Sequence, residues 1–370
     1  MVMPLRSLGF LFATFTIVFA STARGQSGVL IGLSPGRTSS QPEAPFAGYE
    51  TLWVTMDGLG VRTRTIPDLL VPGGSAWSRA GAALGCSGQS GEESSITEIL
   101  WTRAVSDTAD VLAPEHCADT TETPPPDSVD TEVIFRSYGS RDCVTDQYEI
   151  TFVGPNHIAF RYRSGQTEAC EPRGGRATSN AYVRHLGSDS GASPTELLGS
   201  GADRRVATTV RSNENTQYCE SPHEEEPQAD LYITRRAGRW RPVAYFRGWM
   251  MSCEIEQEVN AMVLRSVTGP DVLSPSWTEI RRAYASAMDA FSAPSGDVVF
   301  VRAGDSLLVH ATSNGTLGAR RGAINLGERS VLMIQWATGP HVARWDGEIA
   351  QMLARGLGAP RVTIPPSSAR

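Results

Sequence analysis

The stretch "ITRRAGRWRPVAYFRG" (233–248) holds five arginines, Arg235, Arg236, Arg239, Arg241 and Arg247, in a chain whose formal net charge is -7. Its centre, Ala237-Gly238, is a two-residue turn signal between two alternating runs, which predicts a β-hairpin. The turn fixes a register: Arg236 opposite Arg239, Thr234 opposite Arg241 and Ile233 opposite Pro242. One face then carries Leu231, Ile233, Trp240 and Ala244, fit for a core. The other collects Arg236, Arg239 and Arg241 beside Tyr232 and Val243. Like charges facing each other across strands cost roughly a few tenths of a kcal/mol or more, so an anionic neighbour is expected.

Downstream, "CEIEQEVNAMVL" (253–264) puts Glu254, Glu256 and Glu258 on one face of a strand. A short connection lays it antiparallel to 239–247, acidic row beside basic row. The hairpin is thus expected in a charge-complementary three-stranded sheet. The competing use of Arg236, Arg239 and Arg241 is a site for an anionic partner, a polysaccharide or a phosphate group, held by bidentate arginine forks. Trp240, Tyr245, Phe246 and Trp249 offer stacking surfaces for sugar rings in that case.

Similar short runs recur from Tyr49 onward. "TLWVTM", "ITEILWTRAV", "TEVIFRSY", "YEITFV", "HIAFRYR", "NAYVRHL", "DVVFVRAG", "SLLVHAT" and "SVLMIQWA" read as strands, rich in β-branched and aromatic residues. "GPN" (154–156) and Asn314-Gly315 read as hairpin turns. The segments 118–130, 187–203 and 220–230 read as loops too polar to be buried. "SWTEIRRAYASAMDAF" (276–291) opens with a capping box, Ser276 and Glu279. Its apolar residues Ile280, Ala283, Tyr284, Ala287, Met288 and Phe291 fit one helical face, ended by Pro294. "VARWDGEIAQMLARG" (342–356) is a second helix, weakened by Gly347.

The fold class is therefore mainly β, in antiparallel sheets, with one or two α-helices near the C-terminus. Sandwich, barrel and propeller all stay open. "RAG" recurs at 79–81, 236–238 and 302–304, a recurring hairpin without a regular blade repeat. The expected organisation is a signal peptide (1–23), a flexible lead (24–46), a disulfide-stapled β-rich domain (47–268), a smaller α+β unit packed on it (269–356) and an extended tail (357–370).

The leader carries Arg6, the apolar run "SLGFLFATFTIVFA" and small residues at Ala20, Ser21 and Ala23, which is the secretory pattern. No other run approaches bilayer-spanning length, so no transmembrane segment is expected after signal removal. Export places the six cysteines, Cys86, Cys117, Cys143, Cys170, Cys219 and Cys253, in an oxidising compartment, secreted or periplasmic. An even number without a C-x-x-C pair points to three disulfides, with sequential pairing as the working expectation. The 33 basic residues are all arginine. A chain without lysine performs no Schiff-base or pyridoxal chemistry, and has no P-loop lysine and no Ser-Lys dyad. A sequence pI near 5.5 argues against nucleic acid as a partner.

Two short motifs bear on catalysis. "AGDSLLVH" (303–310) resembles the GDSL hydrolase nucleophile block, with Ser306 in the nucleophile's place. In that family the block lies near the N-terminus of an α/β domain with a D-x-x-H pair beyond it. Here Ser306 leads into β-type "LLVHAT" and no D-x-x-H follows. "LAPEHC" with His116-Cys117 resembles the surroundings of a trypsin-like catalytic histidine, and "SDSGA" (188–192), with Ser190, those of its serine. A triad needs a third member held by a scaffold, and Asp142 and Asp146 are arbitrary choices for it. Turn and loop chemistry accounts for both.

Metal ligands are scattered: His116, His157, His185, His223, His310 and His341 fit no HExxH or calcium-loop spacing, and "HEEE" (223–226) reads as a solvated acidic loop. No metal and no cofactor is expected. The reading is an exported, non-catalytic binding or structural protein of unknown ligand, with a cell-envelope glycan or protein as the candidate partner. A secreted serine hydrolase and a polyanion- or glycan-binding module acting through the arginine hairpin are the alternatives.

Overall fold

The computed structural model describes residues 27–35, 48–57, 60–73, 77–87, 95–105, 131–140, 146–164, 181–186, 190–212, 230–247 and 254–357. In chain order the strands begin with β1 (Ser27–Leu33), β2 (Glu50–Asp57), β3 (Gly60–Pro67), β4 (Leu69–Pro72), β5 (Trp77–Ser87), β6 (Ser95–Ala104), β7 (Thr131–Ser140), β8 (Asp146–Val153), β9 (His157–Ser164) and β10 (Ala181–His185). Two helices follow, α1 (Pro194–Leu198) and α2 (Ala202–Arg211), then β11 (Asp230–Arg236), β12 (Arg239–Arg247) and β13 (Glu254–Glu258). After α3 (Arg265–Thr268) and α4 (Trp277–Ala283) come β14 (Ala287–Ser292), β15 (Val298–Ala303), β16 (Ser306–Ser313), β17 (Thr316–Asn325) and β18 (Val331–Thr338). Helix α5 (Pro340–Met352) runs into a π-helical turn, Leu353–Leu357. The protein is mainly β, as its alternating runs require.

The strands form a seven-stranded sheet in the order β10-β9-β8-β18-β1-β2-β3, two four-stranded sheets, β4-β5-β6-β7 and β14-β15-β16-β17, and the three-stranded sheet β11-β12-β13. The seven-stranded sheet is antiparallel except where β18 lies parallel to β8. Both of its faces are covered. Leu30, Trp53, Phe160 and Met333 pack on one side with Leu69 and Leu70 of β4 and with Trp345 and Ile349 of α5. Val29, Ile31, Val54 and Phe152 pack on the other with Ile233 and Trp240, Phe291 and Phe300, and Val206 and Val210 of α2.

Several sequence expectations need correction. Residues 24–46 were expected as a flexible lead, yet Ser27–Leu33 is a fully buried central strand. "SGVLIGL" shows no alternation because both its faces are covered. Its glycines are steric: a Cβ on Gly28 would lie 2.4 Å from the Trp53 ring, and one on Gly32 2.7 Å from Met333 Cβ. The division at residue 269 does not hold either, since β18 sits between β1 and β8 in one sheet. The loop 187–203 contains α1, whose Leu197 and Leu198 are buried, and α2 begins at Ala202.

The helix expected over 276–291 is half right. Its capping box forms, but α4 stops at Ala283 and Ala287–Ser292 becomes β14, paired with β15. The apolar spacing of this run is helical, and pairing with β15 overrides it. As a strand it brings Asp289 to the buried arginine described below. The "RAG" hairpins also differ: Ala237-Gly238 forms one turn, Gly304-Asp305 the other, and 79–81 lies inside β5. Residues 1–23, the loop 118–130, most of 220–230 and all of the tail beyond Leu357 lie outside the described residues.

Candidate functional site

The arginine hairpin folds in the expected register: Arg236 faces Arg239, Thr234 faces Arg241 and Ile233 faces Pro242. Ala237 and Gly238 both have positive φ (52° and 79°), the geometry that a two-residue turn needs to match strand twist. β13 pairs antiparallel with β12, placing Glu258 opposite Val243 and Glu256 opposite Tyr245. Arg241 meets Glu258 at 2.8 Å. Glu256 turns instead to Arg161 of β9, at 2.7 Å, and Arg161 also touches Glu149 at 3.2 Å. Burial works against the charge on Arg161, but these carboxylates and Tyr232 raise its pKa. Arg236 and Arg239, at the turn, are exposed.

Arg235 is used for packing, between Asp271 and Asp289. It lies on the core face of β11, and its side chain is 1% exposed. Its Nη1 donates to Asp271 Oδ1 at 2.9 Å, its Nη2 donates to the Ala290 carbonyl at 2.7 Å, and its Nε lies 2.9 Å from Asp289 Oδ2. The guanidinium also sits 5.1 Å from the Trp240 ring and 5.6 Å from that of Phe291. The backbone joins in: Gly238 N–H donates to Asp289 Oδ1 at 2.7 Å and Trp240 N–H to Asp271 Oδ2 at 3.2 Å. Burial raises the Asp289 pKa, opposed by Arg235. Arg302, opposite Asp289 in the β14–β15 ladder, has its pKa lowered by burial. A buried charge survives only with such partners, so this cluster ties the three-stranded sheet to the four-stranded one.

Ser190 and Ser306 lie on separate elements, and the Ser190 carbonyl accepts from the His185 amide at 3.3 Å. Ser306 opens β16 directly after the Gly304-Asp305 turn, paired with Ala303 and Asn325. His310 is four residues further along the same strand, about 13 Å away at the rise of an extended chain. Its ring is fully committed, Nε2 to the Tyr284 hydroxyl at 2.9 Å and Nδ1 to the Gly318 carbonyl at 3.0 Å. Ser190 is exposed, and His116 lies outside the described residues. So do Cys117, Cys143, Cys170, Cys219 and Cys253; Cys86 contributes its backbone to β5, opposite Ile96.

Two histidines that looked scattered are neighbours. The Gly154-Pro155-Asn156 turn returns β8 into β9, with Gly154 N–H donating to the His157 carbonyl at 2.8 Å. β10 pairs with β9 so that His185 stands directly opposite His157, with ring centroids 4.6 Å apart. Over them lies α1, which starts because Ser193 caps it, accepting from Glu196 N–H, and Pro194 takes the first turn. This brings Glu196 Oε1 to 2.9 Å from His185 Nε2 and 3.4 Å from His157 Nε2.

Burial lowers the His157 pKa, with the hydrogen bond to Glu196 opposing. Desolvation pushes the Glu196 carboxyl up, but the hydrogen bond from His157 and the neighbouring rings prevail and hold it below the ordinary value. Sequence spacing hid this group: 28 residues separate the histidines and 11 more lead to Glu196. The legible signals were a histidine at each end of two adjacent strand runs and the S-P-T-E start of α1. No protein-family model matches the chain, and a search of curated proteins finds no match.

Proposed function

We propose that this chain is an exported, non-catalytic binding or structural protein of the periplasm or the cell exterior. The observation that carries this reading is how the hairpin's charge is used. Arg235 is buried between Asp271 and Asp289, and Arg241 is matched by Glu258. The first arrangement joins two sheets and the second braces neighbouring strands of one, so both charges serve packing. The six cysteines, in an oxidising compartment, would add covalent cross-links to the same frame.

Two measurements test the reading. Expressed with its own leader, the chain should appear outside the cytoplasm, shortened by the leader, with no thiol open to alkylation after unfolding unless reductant is added. A sulfonyl fluoride should leave every serine unlabelled; stoichiometric labelling of Ser190 or Ser306 would establish the hydrolase alternative.

One observation favours a second reading, binding of an anionic glycan at the hairpin tip. Arg236 and Arg239 face each other and are exposed, an arrangement that a bound anion would relieve. Retention on an immobilised sulfated polysaccharide that disappears in R236Q/R239Q, with folding intact, would support it. Equal retention of the double variant would remove it.

A further inference from the structure

We infer that His157, His185 and Glu196 form a binding site for one divalent transition-metal ion of zinc-like ligand preference. One ligand atom from each of the three residues lies within 4.8 Å of the other two. Tetrahedral ligands about 2.0–2.1 Å from a zinc ion are roughly 3.3 Å from one another, so a small closure completes the site. The Glu196 oxygen already stands at that spacing, 2.9 and 3.4 Å from the two Nε2 atoms, so the closure needed is between the two imidazoles, which face each other across the β9–β10 ladder. Two imidazoles and a carboxylate suit zinc and its neighbours better than calcium or magnesium, which favour all-oxygen shells.

A purely structural histidine is expected to look like His310, with both ring nitrogens partnered. His157 does not. Its side chain is 7% exposed, its Nε2 faces Glu196, and its Nδ1 is buried without a hydrogen-bond partner. A buried imidazole committed on one side only, facing a second imidazole and a carboxylate, has the composition of a three-residue metal site. The exposed edges of His185 and Glu196 leave an approach for the ion and a fourth position for water. The bound ion ties α1 to the β9–β10 edge. Because Nδ1 of His157 has no acceptor to raise the ring's basicity, affinity falls below that of a fully supported zinc centre by the roughly 10–100-fold that a missing outer partner costs. The inference is independent of the non-catalytic reading above.

The test is titration of the full, oxidised chain, free of affinity histidines, with Co²⁺ by visible absorption and with Zn²⁺ by calorimetry. The expected result is one equivalent bound, with intense tetrahedral cobalt bands and no thiolate charge-transfer band. His185→Ala and Glu196→Gln alter exposed side chains and should each weaken binding by at least about 100-fold, more than loss of an outer partner does. His341→Ala, at an exposed histidine elsewhere, should leave affinity unchanged. Absence of cobalt bands, a thiolate signature, or wild-type affinity in either His185→Ala or Glu196→Gln would overturn the assignment. Circular dichroism of each variant confirms that folding is retained.

Discussion

Arg235 and Asp289 meet between two sheets, Nε 2.9 Å from Oδ2, although 54 positions separate them in the chain. The hairpin that carries Arg235 and the strand that carries Asp289 share no ladder hydrogen bonds in a common sheet. Their relative position is held by this pair, by Asp271, by the Gly238 and Trp240 amides, and by a backbone bond from Ala237 N–H to the Met288 carbonyl at 3.4 Å.

Removing one partner of a buried ion pair leaves the other uncompensated. Arg235→Met should therefore cost about 3–5 kcal/mol, read as a lower urea midpoint. Adding Asp289→Asn should recover part of that loss, since the stranded carboxylate is gone. A loss below about 1 kcal/mol in the single variant would show that water already reaches the cluster.

Arg241–Glu258 is the contrasting case. Its side chains are 31% and 41% exposed, so solvent screens the pair. Arg241→Gln should cost less than about 1 kcal/mol, and the difference from wild type should shrink further as salt is added. A cost equal to that of Arg235→Met would contradict the assignment of these two arginines to different roles.

The α4 capping box links stability to pH. Ser276 Oγ accepts from Glu279 N–H, while Glu279 Oε2 accepts from the Ser276 hydroxyl and amide. Those bonds hold the Glu279 carboxyl below its usual range. Its folded pKa is thus depressed. The stabilisation is complete above the ordinary glutamate value and is lost as pH falls through the folded value. Ser276→Ala should cost about 1 kcal/mol near neutrality. The gap in melting temperature between wild type and variant should narrow in acid; a gap independent of pH would contradict the linkage.

Gly154 seats the turn that delivers His157. A Cβ there would fall 2.1 Å from the Val267 carbonyl oxygen and 2.7 Å from the Phe152 ring. The obstacle is partly backbone, so the turn itself must shift. Gly154→Ala should cost roughly 1–3 kcal/mol, the range for overfilled interiors. Amide shifts in an NMR spectrum should reach His157 and His185. An unchanged melting temperature would mean that the 154–157 turn is looser than its contacts imply.

How far the chain could be read from sequence depends on how local each signal is. The β11–β12 register followed from the Ala237-Gly238 turn, and the start of α4 from its Ser276/Glu279 capping box, because both rest on neighbours in the sequence. β1 did not look like a strand, since a strand buried on two faces has no alternation to detect. Ala287–Ser292 carried a helical spacing that pairing with β15 overrode. Arg235 was grouped with the arginines around it, although alternation places it with Ile233 on the core face. The histidine pair depended on β9 meeting β10 across an intervening segment, and no spacing rule encodes that contact.

The pairing of β1 with β18 bears on how the molecule is made. A ribosome releases the first of these strands about 300 residues before the second. Until synthesis is nearly finished, "SGVLIGL" waits with one hydrogen-bonding edge vacant and available to any other chain. Assembly is therefore slow and late, as expected when distant segments must meet first. A product cut short before Val331 lacks β18, the strand that sits between β8 and β1 in the seven-stranded sheet.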